Sequence, residues 1–179
     1  MALRHIFSYP DARLKRKAAA VENLTGTEAA LIQDMVETMY AAPGVGLAAP
    51  QVGISQRIIV LDIDHENRGV HLLRLVNPVV AEREGTIAWE EGCLSVPDFT
   101  AEVTRAGRVL VKGWTPDEKE TAIEAEGLLA VALQHEIDHL DGKLFLDRIS
   151  RLKRDLYKRR MRKLERQGKP PPPRRHLAI

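Results

Sequence analysis

With 179 residues, 44% hydrophobic and 29% charged, the chain is long enough to bury its own core and too ordinary in balance to be fibrous or disordered. No run approaches the ~18 apolar residues of a membrane span, and a single cysteine, Cys93, excludes an intramolecular disulfide framework. The net charge of +2 conceals an asymmetry: residues 148–179 carry 13 Lys and Arg against 2 Asp and Glu, whereas residues 1–147 carry 14 against 23.

The opening, Met1–Phe7, lacks the apolar core of a secretory signal, and Pro10-Asp11 reads as a turn ahead of a helix although Arg13–Lys17 is basic. From Thr27 to Tyr40 the apolar residues Leu31, Ile32, Met35, Val36 and Met39 recur at helical spacing. Ala41-Ala42-Pro43-Gly44 stops that helix, and a glycine-rich loop follows from Gly44 to Gln51. The spacing predicts strands at Gln56–Asp62, Leu72–Pro78 and Val103–Trp114, with Glu82–Thr86 as a turn or short strand. Gly127–Leu133 is too apolar for a surface helix and runs directly into Gln134-His135-Glu136-Ile137-Asp138-His139, with Gly142 as the stop. A last helix over 149–167 carries Ile149, Leu152, Leu156 and Leu164 as its apolar stripe, and residues 168–179, rich in proline, are expected to be disordered. The fold class is therefore α+β: one domain over residues 1–148, of mixed or antiparallel sheets around a central helix, with a C-terminal helical arm.

Residues 134–139 carry the chemistry. H-E-x-x-H on a helix sends His135 and His139 out of one face, a single turn apart, where both imidazoles can meet one metal ion. Glu136 is then placed to take a proton from a water that the metal activates. The alternative is a solvated helix face carrying two ordinary histidines. It fits poorly with so apolar a helix, in which polar groups need partners or a metal. Downstream, Asp141 and Asp147 are possible third ligands, although capping and solvation explain them as well. Upstream, Cys93 lies in Glu91-Gly92-Cys93-Leu94-Ser95, where it is either a small buried hydrophobe or a thiolate ligand.

Gly44-Val45-Gly46-Leu47-Ala48-Ala49-Pro50-Gln51, Glu91-Gly92-Cys93-Leu94-Ser95 and Gln134–Gly142 together resemble, in order and spacing, the signature of the peptide deformylases; Tyr9–Leu14 is similar to that family's opening. The resemblance covers about Ile6 to Ile149. It implies a hydrolase that removes the N-formyl group from the initiator methionine of nascent polypeptides and releases formate. Cys93, His135 and His139 would bind one divalent metal ion, Fe(II) in the cell and Zn or Ni as isolated, with Glu136 as general base and then acid. The oxyanion donors would be the Gln51 amide and the Leu94 backbone N–H. Backbone around Val45, Gly46 and Gly92 would pair with the extended peptide. Val45, Leu128, Val131 and Ala132, with Trp89 at the rim, would line the methionine slot, and a Glu91–Arg105 pair would brace the cysteine loop. One departure is Thr100, where many bacterial members carry an arginine.

A basic arm suits a polyanion as well as it suits plain solvent. The resemblance favours ribosomal RNA as partner, with no DNA and no membrane, a cytoplasmic location and a monomer. Truncation after Ser150 is then expected to spare catalysis on short peptides and weaken ribosome binding. Three rival readings fit less well. A metallopeptidase lacks its downstream ligand, an RNA-binding protein with structural zinc lacks a fourth ligand, and an inactive relative would not retain Glu136 and Gln51.

Overall fold

Leu31, Ile32, Met35, Val36 and Met39 all turn inward, as their spacing requires, from α1 (Gly26–Ala41) in the computed structural model, which describes residues 2–64, 66–170 and 172. A capping box starts this helix: the Thr25 N–H donates to the Glu28 carboxylate at 3.0 Å, and Thr25 Oγ1 accepts from the Thr27 N–H at 3.2 Å. Among the described residues seven strands follow the chain: β1 (Gly46–Ala48), β2 (Ile58–Leu61), β3 (Leu73–Glu84), β4 (Ile87–Cys93), β5 (Val96–Arg105), β6 (Arg108–Trp114) and β7 (Glu120–Glu126). β1, β2, β3, β6 and β7 form one antiparallel sheet in that order, and β4 pairs with β5 in a separate hairpin. The architecture is α+β, with antiparallel sheets.

Several elements depart from the sequence expectation for identifiable reasons. The glycine-rich loop contains β1 and a 3-10 turn, Ala49–Val52. β3 runs on to Glu84, so of the turn or short strand expected at Glu82–Thr86 the first three residues are strand and the last two make the turn. The single strand expected over Val103–Trp114 is broken at Ala106-Gly107, where the chain leaves the hairpin for the large sheet. Val103, Arg105, Val109 and Val111 are all buried, so the alternation keeps its parity across the break and hides it. β7 reads Glu-Thr-Ala-Ile-Glu-Ala-Glu with only Ala125 buried, and an edge strand so exposed leaves little apolar signal. β4 is masked in the same way by polar residues, one of which, Glu91, is buried in an ion pair.

α2 (Gly127–Leu140) lies through the middle of the molecule, with every residue from Ala130 to Leu140 buried. It ends before Gly142, whose φ of 70° and close approach to the Lys15 carbonyl, 2.6 Å from where a Cβ would stand, require glycine. α3 (Arg151–Arg166) corrects the expected stripe. Leu152 and Leu156 are 71% and 57% exposed, whereas Tyr157 and Met161 are buried beside Cys93, Phe145 and Val103. The side chains that dock α3 are thus offset from the Leu152–Leu156 pair, and Ile149 and Leu164 pack against the same cluster. The expected tail over 168–179 falls mostly outside the described residues. Among the described residues, no helix is long and apolar enough to cross a membrane.

Candidate metal centre

Two elements converge to make the site. α2 presents His135 and His139 one turn apart, with ring centroids 5.0 Å from each other. The hairpin presents Cys93 as the last residue of β4, paired with Val96 across a tight turn made by Leu94 and Ser95. The donor atoms of Cys93, His135 and His139 lie within 4.8 Å of one another, and all three residues are buried. Cys93 Sγ is 3.2 Å from His139 Nε2, and the Ser95 N–H donates to the sulfur at 3.4 Å.

The carboxylate of Glu91 meets His135 Nδ1 at 2.8 Å. An ionised carboxylate only accepts, which makes Nδ1 the donor and leaves Nε2 as the ring's free lone pair. Among the described residues that buried Nε2 has no hydrogen-bond partner. Burial works against a charged His135, yet the neighbouring Cys93 and Glu91 outweigh it and push the ring up to about 10, so a metal ion at Nε2 would take the place of a proton. His139 is driven the other way, well below the usual imidazole range, by burial and by the neighbouring His135. One thiolate and two imidazoles, buried and converging, are a donor set that fits a divalent metal ion.

Beside this cluster stands Glu136, fully buried, with neither carboxylate oxygen hydrogen-bonded among the described residues. Burial raises its pKa to about 7. Gly46 makes the space, since a Cβ there would stand 2.3 Å from Glu136 Oε1. Gln51 is buried in the 3-10 turn, its Oε1 accepting from the Ala48 N–H at 2.7 Å. That bond aims Nε2 at the site, 3.2 Å from Ser95 Oγ and 3.7 Å from Cys93 Sγ. Val45, Val131 and Ala132 are buried in one cluster, with Trp89 and Leu128 packed against it half-buried. Gly92 is buried on β4 next to Cys93, and Leu94 is buried in the turn beyond.

Two acids considered from the sequence are engaged elsewhere: Asp141 pairs with Arg57 at 2.8 Å, and Asp147 pairs with Lys15 and caps the Leu144 N–H. Thr100 donates to Glu90 at 3.0 Å. The pair Glu91–Arg105 forms, with Arg105 Nη2 donating at 2.8 Å, but it belongs to a larger array. Asp138 and Arg148 complete that array, and Ser95 supports the sulfur; sequence reasoning assigned none of the three a role. Asp138 offered one signal, an acid between the two histidines on a helix too apolar to carry it unpaired.

A central buried H-E-x-x-H helix facing a hairpin cysteine defines an α+β hydrolase with a Cys-His-His cluster able to hold a metal. The profile of the polypeptide deformylase family matches residues 3–155. The chain is 52% identical to a peptide deformylase of Syntrophobacter fumaroxidans over 163 residues, 91% of this chain and 96% of that one. Among solved structures it is similar to a peptide deformylase from Legionella pneumophila, at 46% identity and a TM-score of 0.85, covering 95% of this chain and 100% of that one. The Ehrlichia chaffeensis enzyme in complex with actinonin also has a TM-score of 0.85, at 38% identity over 93% of this chain and 99% of its own. The chain belongs to the peptide deformylase family, metal-dependent hydrolases that remove the N-formyl group from nascent peptides.

Proposed function

We propose that Cys93, His135 and His139 hold one divalent metal ion, Fe(II) in the cell, and that Glu136 carries the proton transfers of deformylation. The observation supporting this most directly is a buried carboxylate that has no hydrogen-bond partner among the described residues, beside three donor atoms within 4.8 Å of one another. When bound, the metal supplies Lewis acidity and makes a water a better nucleophile near neutral pH. Glu136 accepts the proton of the water that adds to the formyl carbon. A pKa near 7 suits a group that must take a proton and give it back. As the carbon–nitrogen bond breaks, Glu136 returns that proton to the amine, and the products are formate and a free N-terminus. Gln51 Nε2 and the Leu94 N–H donate to the oxyanion of the tetrahedral intermediate, from positions set by the Ala48 contact and the hairpin turn.

The backbone at Val45, Gly46 and Gly92 pairs with the peptide's main chain and reads no side chain, which suits an enzyme acting on many sequences. Val45, Leu128, Val131 and Ala132, with Trp89 at the rim, hold the methionine side chain. The catalytic domain is residues 1–148; α3 (Arg151–Arg166) makes a basic arm for ribosomal RNA, and the protein works as a cytoplasmic monomer.

Formate release from formyl-Met-Ala-Ser, with anaerobically iron-loaded protein, tests the reading. Glu136→Ala should lose ~10²-fold or more in turnover while its metal content stays at the wild-type level. Zinc-loaded protein should be slower and more stable to air. Undiminished activity in Glu136→Ala would remove the assigned role, and faster turnover with zinc would remove iron.

A further inference from the structure

Arg148 stands just ahead of Ser150, the cap of α3, yet it ends a run of charged contacts that reaches a proposed metal ligand. Its Nε and Nη2 donate to the two oxygens of Asp138 at 2.5 and 2.6 Å. Asp138 Oδ2 also accepts from Arg105 Nη1 at 2.7 Å. Arg105 closes on Glu91 through Nε and Nη2, at 2.5 and 2.8 Å, and Glu91 Oε2 meets His135 Nδ1 at 2.8 Å. Only the outer end is open to solvent: the Arg148 side chain is 39% exposed, against 1% for Arg105 and 0% for Glu91.

The balance of charge gives the outer arginine its importance. Arg105 is one guanidinium between two carboxylates, Glu91 and Asp138, both buried. A buried carboxylate is costly without a matched cation, so loss of Arg148 would draw Arg105 outward to Asp138 at the expense of Glu91. Glu91 is the group that fixes the His135 tautomer and ring direction. Arg148 itself lies over a different stripe of α2. With Arg83 and Lys143 it lines a cleft of about 270 Å³ along Gln134, Ile137, Asp138 and Asp141, so its influence on the site passes through Asp138.

We propose that Arg148 is a positioning residue which, through Asp138, Arg105 and Glu91, holds His135 in its ligating orientation; this rests on the reading of Cys93, His135 and His139 as metal ligands. The test uses full-length apoprotein titrated with Co(II), whose visible bands report the donor set, with a competing chelator to give affinity. Arg148→Met should bind Co(II) ~10-fold more weakly than wild type, with shifted bands. Arg148→Lys should recover part of the loss, and in an Asp138→Asn background Arg148→Met should add nothing. A lower Tm with unchanged Co(II) affinity and spectrum would overturn the proposal, as would full additivity in the double variant. If Arg148→Met does not fold, Arg148→Lys is judged by the same affinity and spectrum. Cys93→Ser runs in parallel: Co(II) binding unchanged by that substitution would defeat the ligand reading itself, and the proposal with it.

Discussion

Gly46 and Glu136 explain each other. A buried carboxylate needs a partner or a function, and here the neighbouring residue has given up its side chain to make room. Adding one methyl group at position 46 would therefore act on the carboxylate before it acted on the fold, because the clashing atoms are the end of a side chain and not backbone. Gly46→Ala is expected to lower kcat ~10-fold or more, the scale of losing a placed acid–base group, with Tm nearly unchanged. Formate release and a thermal melt on the same sample check it. A large drop in Tm with kcat preserved would mean that glycine serves packing alone.

At the scale of elements, α1 and α3 are held by different forces. The start of α1 depends on polar capping, and hydrogen bonds from Thr25 and Gln56 lower the Glu28 pKa from 4.5 to about 2. A lowered carboxyl stabilises the fold fully above its unfolded value, and that contribution is lost as pH falls from about 4.5 toward about 2. The stability gap between wild type and Glu28→Gln should hence be constant above pH ~5 and close below it, which urea melts across that range would show. α3 depends instead on apolar docking. Tyr157 is 2% exposed, packs on Phe99 with centroids 4.8 Å apart, and donates from its hydroxyl to the Pro97 carbonyl at 3.4 Å. Tyr157→Ala is expected to cost about 3 kcal/mol in urea unfolding. A cost under ~1 kcal/mol would show α3 to be loosely attached.

On the scale of the whole molecule, this docking changes how the basic arm should be tested. Truncation after Ser150 removes Tyr157 and Met161 from the cluster that contains Cys93, so it damages packing as well as charge. Reversing the exposed cations Arg151, Arg159 and Lys163 to glutamate leaves the buried side of α3 intact. The triple variant should release formate at the wild-type rate yet cosediment less with ribosomes at low salt, and wild-type binding should weaken steeply as salt rises. Equal cosedimentation of the two proteins would reject the arm as an rRNA contact.

The sequence by itself determined the parts of this protein that are local. The 3.6-residue period located α1, the apolar run Gly127–Leu133 ahead of H-E-x-x-H located α2, and one helical turn between His135 and His139 aligned two imidazoles wherever that helix came to lie. Three motifs, taken together, were enough to indicate the family. Tertiary structure decided what depends on partners distant in sequence. β7 and β4 were hidden because their stability comes from pairing and a buried ion pair, with little apolar alternation to reveal them. Which face of α3 is buried was set by the ring cluster of Tyr9, Phe99 and Phe145, so Tyr157 and Met161 went inside and Leu152 and Leu156 stayed out. Above all, the run from Arg148 to His135 joins residues from β4, β5, α2 and the base of α3. Charges interact through space, and only folding brings these within hydrogen-bonding reach.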